Sequence, residues 1–457
     1  MSAPLMTVEA LRAAGRTPPA HCRIALDDGR QLEVARWLRV LSGKRLTGQA
    51  TLDGQPVLAK LFIAASNSAR HQQRERQGLA ALATAGIPTP RLLEAGALPD
   101  GGYYLLTEFL PKARELTMAD RLAPLFALLG RMHAAGLAHD DAHLGNFLQW
   151  GDELLVVDGD AVRSGISAAA ARDNLALLLA QLPPQTDPAP LLAAYRQAHP
   201  ALAIDAAQLA MATEHACRRR LDDYLNKCLR DCSLFAVTRS AHRFVAVVRE
   251  EADSLTPLIA DPDRWLEAGT PLKRGRTATL ARIEATGRQL VIKRYNIKSA
   301  GHALSRCWRP SRAWHSWLAG HRLRFLGIAT PRPLALVERR LGPLRGKAWL
   351  ITEHCPGTNL VDLLAHRLDT PPADVVAALG RLFAQLAAAR ISHGDLKATN
   401  LLWHDGEISL VDLDAMRAHR GTAGFARAWR RDRARLLRNW PEGCALRDAI
   451  DAALPPA

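Results

Sequence analysis

Between Leu38 and Phe62 apolar and polar residues alternate, interrupted at Gly43, Gly48 and Gly54, a pattern that predicts a small antiparallel sheet. The same texture returns in TATLARIEATGRQLVIKRY, residues 277–295. Elsewhere the period lengthens. ADRLAPLFALLGRMHAAG sets Leu122, Leu125, Leu128, Leu129 and Met132 on one helical face, and residues 378–386 are its counterpart. SARHQQRERQGLAALATAG predicts a further helix, and so does the Arg-rich RRRLDDYLNKCLRDC, with Cys228 and Cys232 on one face as packing residues. Residues 182–190 (LPPQTDPAP) predict a loop, and Pro257 to Pro262 a turn region. Sheet first and helices after, twice over, gives an α+β chain.

The repeat is explicit. His-Asp-Asp-Ala-His-Leu-Gly-Asn begins at His139 and His-Gly-Asp-Leu-Lys-Ala-Thr-Asn at His393. Asp141 and Asp395, Asn146 and Asn400, and Asp158 and Asp412 share the same offset of 254. Upstream the offset shrinks: Gly86 matches Gly327, Glu108 matches Glu353, and Lys60 matches Lys293. Changing offsets are insertions, which loops tolerate. Two domains of one fold are expected, residues 1–232 and 233–457.

Composition narrows the classes. At 457 residues, 48% apolar and 23% charged, the chain is neither disordered nor limited to one core. No run of 18 uncharged apolar residues occurs, so no membrane-spanning helix is expected, and the first residues show no secretory signal. Seven scattered cysteines fit reduced thiols in a cytoplasmic protein. The net charge is +15, and 51 of the 60 basic residues are arginine. Solvated faces explain that surplus, and so does an anionic partner; charge alone does not choose. Aromatics at 5% and no reader motif argue against nucleic acid.

Phosphoryl transfer from ATP needs a cation on the donor phosphates, oxygens for Mg²⁺, and a carboxylate to orient the acceptor hydroxyl. Lys60 ends an apolar strand and Glu75 lies fifteen residues on, within reach of a pair. Asp141 stands five residues before Asn146, and Asp158 ends the run Leu154–Val157.

A strand Lys, a helix Glu, H-x-D-x4-N and a strand-ending Asp resemble the protein-kinase-like fold. LKRGRTATLARI, RAWHSWLAGHRLRFLGIATPRPLA and HGDLKATNLLW resemble bacterial lipopolysaccharide core kinases that phosphorylate heptose or Kdo. The resemblance implies two tandem bilobal domains, each a small antiparallel sheet lobe plus a helical lobe. It implies that Lys60 and Lys293 bind donor phosphates and Glu75 positions Lys60. Glu108 and Glu353 lie at the adenine hinge. Asp141 and Asp395 are the catalytic bases. Asn146, Asp158, Asn400 and Asp412 hold Mg²⁺. Lys397 approaches the transferred phosphate, with His143 in its place in the first unit. The partners implied are ATP and a core sugar or other hydroxyl-bearing acceptor, met at the inner face of the cytoplasmic membrane.

The chain departs from that pattern. Ser316 stands where a second Glu75 is expected, Asp140 stands where Gly394 stands, and Gly43, Gly48 and Gly275 replace a full G-x-G-x-x-G. The segment after each metal Asp is short, which disfavours a peptide acceptor, and Asp173 and Asp432 open helices as anchors of the catalytic loops. His139 and His393 are expected to be buried and structural. Trp308, Trp314 and Trp317 among Arg306, Arg309, Arg312 and Arg324 fit a packed helix better than a membrane contact. A protein kinase and a pseudokinase scaffold are the competing functions; the missing helix acid makes the second unit the expected pseudokinase on geometry, and Asp140 is the reservation about the first.

Overall fold

The computed structural model describes residues 3–183, 186–275, 277–296 and 308–456. The chain divides into two compact units, residues 1–219 and 220–457, each mixing α and β.

In the first unit six antiparallel strands run in the spatial order Cys22–Ala25, Gln31–Leu41, Arg45–Leu52, Gln55–Phe62, Tyr103–Glu108, Leu92–Ala97. Alternation decides their faces. Leu46, Ala50, Val57, Ala59 and Leu61 pack with Val8, Leu11 and Ile24 on one side. Lys60 therefore shares the other side with Phe62 and Leu105, where Leu79 of the helix Ser68–Thr84 packs. Gly43 and Gly54 make turns at positive φ, but Gly48 lies within a strand, opposite Trp37. A Cβ at Gly48 would stand 3.0 Å from the Trp37 ring, so this glycine seats the indole rather than breaking the strand. The helix Ala123–Ala134 starts later than expected because Pro124 sits in its first turn; Leu125, Leu129 and Met132 join Leu175 and Tyr195 in a second core.

The main sheet of the second unit has seven antiparallel strands in the order Phe235–Arg239, Arg243–Val248, Pro333–Leu341, Leu344–Glu353, Arg288–Tyr295, Ala278–Ala285, Thr270–Arg274. One face packs Ile283, Leu290, Ile292 and Trp349; the other packs Phe244, Leu336 and Leu350 with Trp317. The helices Ala373–Ala388 and Thr422–Leu437 build a third core from Leu379, Phe383, Trp429 and Leu436.

Several local expectations change. Pro257 and Pro262 begin two short helices, Thr256–Ala260 and Pro262–Ala268, since proline suits a first helical turn. The helix Ala206–Lys227 ends before Cys228; Cys228 and Cys232 still pack in one cluster. Within 182–190, residues 184 and 185 lie outside the described residues. Trp317 is fully buried and Trp314 lies against Phe244, whereas Trp308 is exposed and Arg306 falls outside the described residues. Asp173 and Asp432 sit inside the helices Ala168–Leu179 and Thr422–Leu437; Ser167 and Gly421 are the N-caps.

Candidate active site

In the first unit Lys60 lies opposite Leu105 in the ladder. Its ammonium donates to Glu75 and, at 3.4 Å, to Asp158 Oδ1. Glu75 is 1% exposed, and its oxygens also accept the backbone N–H groups of Gly159 and Asp160, each at 3.1 Å. One buried carboxylate thus fixes both the lysine and the loop after Asp158. That closeness requires Gly78, where a Cβ would stand 2.0 Å from Gly159 O. Asp158 adopts a left-handed backbone (φ 66°) and meets Arg45 at 3.2 Å. Burial pushes its pKa up, but Lys60 and Arg45 outweigh burial and hold it well below the usual carboxylate range.

The loop before it is equally tied. Asn146 is buried and its Nδ2 donates to Asp141 O at 2.8 Å. His139, fully buried, donates to Val157 O at 2.9 Å. The Asp141 carboxylate is 69% exposed, with His143 at 3.6 Å. Burial keeps the His143 imidazole below its ordinary pKa, hence uncharged at neutral pH. The loop's anchor is Asn174, which donates to His139 O at 2.7 Å. Asp173 points to solvent and pairs with Arg172, one helical step away from the expected role.

The second unit repeats the frame with a different acid. His393 donates to Val411 O at 3.0 Å, Asn400 to Asp395 O at 2.9 Å, and Asp412 is again left-handed (φ 60°). Here the expected anchor holds: Asp432 accepts His393 N at 2.6 Å and Gly394 N at 2.9 Å. Lys293 donates to Asp412 at 2.6 Å and to Asp414 at 2.9 Å. Asp414 fills the gap left by Ser316. It collects Ser316 Oγ at 2.7 Å, Tyr295 OH at 2.8 Å and Arg312 Nη2 at 2.5 Å. Burial raises its pKa, yet Lys293 and Arg312 prevail and bring it down to about 2. In the first unit the matching Asp160 instead meets His71 and Arg74. Asp395 pairs with Arg435 and, at 3.4 Å, with Lys397.

Glu108 and Glu353 close their strands in the same way. Each N–H bonds a carbonyl across the sheet edge, Arg91 O and Arg332 O respectively, at 3.0 Å. Glu353, Lys293, Asn400, Asp412 and Asp414 all line one cavity of about 390 Å³, with Leu280, Val291, Leu350 and Leu402 completing its apolar wall.

Sequence reasoning missed Asp414, Arg312, Asn174 and Arg435. The second acid of Asp-x-Asp, present in both units, was the available signal for Asp414. As for a metal, Asn400 Oδ1 and Asp412 Oδ2 take no hydrogen bond among the described residues. A carboxamide and a carboxylate are the hard oxygens that magnesium prefers. No group of three His, Cys, Asp or Glu gathers among the described residues, so further ligands would come from phosphate or water.

A lysine held between acids stands in each unit beside a carboxamide tied to the backbone of another aspartate, the kinds of groups that phosphoryl transfer uses. Comparison with known proteins is specific for the second half of the chain: residues 260–449 match the Lipopolysaccharide kinase (Kdo/WaaP) family. A 3-deoxy-D-manno-octulosonic acid kinase of Vibrio cholerae serotype O1 is 30% identical over 109 residues, 23% of this chain and 45% of that protein. The chain thus spans about half the length of that curated relative. Among solved structures, WaaP in complex with acyl carrier protein aligns at TM-score 0.32 and 21% identity, over 40% of this chain and 87% of that one. Vaccinia related kinase 3 aligns at TM-score 0.25 and 12% identity, over 34% and 56%. The second half therefore resembles the lipopolysaccharide kinase family in sequence. No described helix is long and apolar enough to cross a membrane.

Proposed function

We propose that the chain is an ATP-dependent phosphotransferase acting on a hydroxyl of a lipopolysaccharide core sugar, heptose or Kdo. The observation that carries this reading is the second-unit cavity, polar at Lys293, Asn400, Asp412 and Asp414 and apolar at Leu280, Val291 and Leu350. A nucleotide has the matching division between phosphates and base. The family match over residues 260–449 supports the acceptor class.

On this reading the fold is two tandem bilobal protein-kinase-like domains, 1–232 and 233–457. Lys60 and Lys293 bind the donor phosphates, with Glu75 positioning Lys60 and Asp414 positioning Lys293. The backbone beside Glu108 and Glu353 receives adenine, and Lys397 approaches the transferred phosphate. Asn146 with Asp158, and Asn400 with Asp412, hold Mg²⁺, which when bound neutralises phosphate charge. Asp141 and Asp395 orient the acceptor hydroxyl and take its proton. The work is done in the cytoplasm, against the inner face of the membrane, where the surplus of +15 favours an anionic acceptor.

A second reading concerns the first unit alone, as a nucleotide-binding pseudokinase. It is favoured by Asp140, which takes Gly394's place and pairs with Arg163 at 2.9 Å, and by the uncharged His143 in place of Lys397. The test is transfer of labelled phosphate from ATP to dephosphorylated core oligosaccharide, read by mass spectrometry. A gain of one phosphate is expected. No transfer to any core sugar under Mg²⁺ would reject the assignment.

A further inference from the structure

Helix Thr422–Leu437 presents Arg431, Arg435 and, just past its end, Arg438 at spacings of four and three, which place them on one face. Together with Arg417, Arg447 and His419 they line a groove of about 870 Å³ that reaches Gly394, next to Asp395. The groove is large enough to bury a sugar. Its positive charge is mostly uncompensated. Arg435 pairs with Asp395, and Arg447 with Glu442 at 2.9 Å. Among the described residues no carboxylate stands within ion-pair distance of Arg417, Arg431 or Arg438. The groove's own acid, Asp432, is buried and already accepts two backbone N–H groups.

The first unit shows that this is not simply an arginine-rich composition. Asn174 and Asp432 both bond the loop backbone at the matching histidine. Aligned on them, Arg431, Arg435 and Arg438 correspond to Asp173, Leu177 and Ala180. Arg417 pairs with Ser392 in its ladder as Arg163 pairs with Ala138, but Arg163 is neutralised by Asp140 whereas Gly394 leaves Arg417 free of a carboxylate among the described residues. The charge is thus confined to the side of Asp395.

We propose that this groove is the subsite for the anionic group of the acceptor, a carboxylate or a phosphate on the sugar, and that it delivers the hydroxyl to Asp395. The proposal rests on the kinase reading above. Arginine forks bind either anion through two parallel hydrogen bonds, and clustered cations repel one another until an anion arrives.

The test uses the full chain and calorimetric titration with three probes: 3-deoxy-D-manno-octulosonic acid, its methyl ester and inorganic phosphate. The wild type is expected to bind at least one anion saturably. If the acid binds and the ester binds about tenfold or more weaker, the group is the carboxylate; if phosphate alone binds, it is a phosphate. Arg431→Ala/Arg438→Ala is expected to weaken the anion about tenfold or more, with the exposed Arg427→Ala on the same helix as the unaltered control. Arg417→Ala, on a separate strand, gives an independent reading should the double variant unfold in a thermal scan. Equal binding of acid and ester with phosphate silent, no binding of any probe, or affinities untouched by the arginine variants would overturn the subsite. Mg·ATP titrated into the same samples separates the two claims. ATP binding without anion binding removes the groove alone, and anion binding without ATP binding removes the kinase reading.

Discussion

Replacing Asp414 with asparagine tests whether an acid on the loop substitutes for the missing helix acid. The carboxylate collects four donors, from Lys293, Tyr295, Ser316 and Arg312, and its side chain is 9% exposed. Asparagine keeps the volume, removes the charge, and turns an amide N–H₂ toward groups that also donate. Lys293 retains Asp412, whereas Arg312, 36% exposed, regains water and contributes little to the loss. Breaking a buried charged pair by removing one partner costs about 3–5 kcal/mol, so with the exposed Arg312 discounted the lower end, about 3 kcal/mol, applies. For a unit of this size that is a fall in Tm of about 6–12 °C. Scanning calorimetry of the full chain measures it, alongside the Kd for Mg·ATP, which should rise as Lys293 loses its second anchor. Moving the acid back to the helix, as Asp414→Ala/Ser316→Glu, should recover part of both, because Glu75 occupies that position in the first unit and holds Lys60. A fall of less than about 2 °C with unchanged nucleotide affinity would refute the reasoning, since a four-donor carboxylate cannot be that cheap to neutralise.

Other expectations follow from the same geometry. The folded pKa of Asp414 lies below its ordinary value, so its stabilisation is fully present above the usual carboxylate range and lost as pH falls toward about 2. By linkage this is worth about 2 kcal/mol, and a pH series of unfolding midpoints should show a slope between pH ~4 and ~2 that Asp414→Asn flattens. Asp432→Ala should cost about 2–4 kcal/mol by stranding the His393 and Gly394 N–H groups, while Asp432→Asn should cost less because an amide oxygen, that of Asn174, accepts the matching His139 N–H in the first unit; thermal unfolding of the two variants measures the difference. Gly78→Ala, which in an ordinary helix would stabilise by up to about 1 kcal/mol, should instead destabilise by about 3 kcal/mol through collision with Gly159 O; a raised Tm would contradict the close approach.

The strands around Lys60 and Lys293 were legible because period-two alternation fixes which face a side chain takes, and Lys60 therefore had to oppose Ala59 and Leu61. The approach of Glu75 to Lys60 was legible from fifteen residues of strand, turn and helix. What was not legible depends on rotations that sequence does not encode. One helical step turns a side chain by about 100°, so only packing chooses Asn174 over its neighbour Asp173. Gly48 reads as a break until the Trp37 ring is seen across the ladder. The missing acid at Ser316 reads as a defect, because nothing local says that Arg312, Ser316 and Tyr295 converge on Asp414 from a helix and a strand far apart in sequence.

Two copies of one frame have therefore diverged electrostatically, the first balanced and the second ringed by cations. In the first, Asp158 is held by Lys60 and Arg45, the loop carries the extra acid Asp140, and the residue beside Asp141 is an uncharged imidazole. In the second, Asp412 shares Lys293 with Asp414, Asp395 stands between Lys397 and Arg435, and further arginines lie beyond it. A negative acceptor approaching Asp141 meets the neutral pair of Asp140 with Arg163; one approaching Asp395 meets cations. Transfer to an anionic sugar should therefore depend on the second unit. Asp395→Asn is expected to lower kcat by at least about a hundredfold while leaving Mg·ATP binding within about twofold, as removal of a positioned base does. Asp141→Asn should leave sugar transfer within about threefold, acting only on whatever nucleotide turnover the first unit has. Single-turnover transfer of labelled phosphate by the two variants decides it. Loss in Asp141→Asn with retention in Asp395→Asn would reverse the assignment, and would mean that short-range geometry at the first site outweighs the charge around the second.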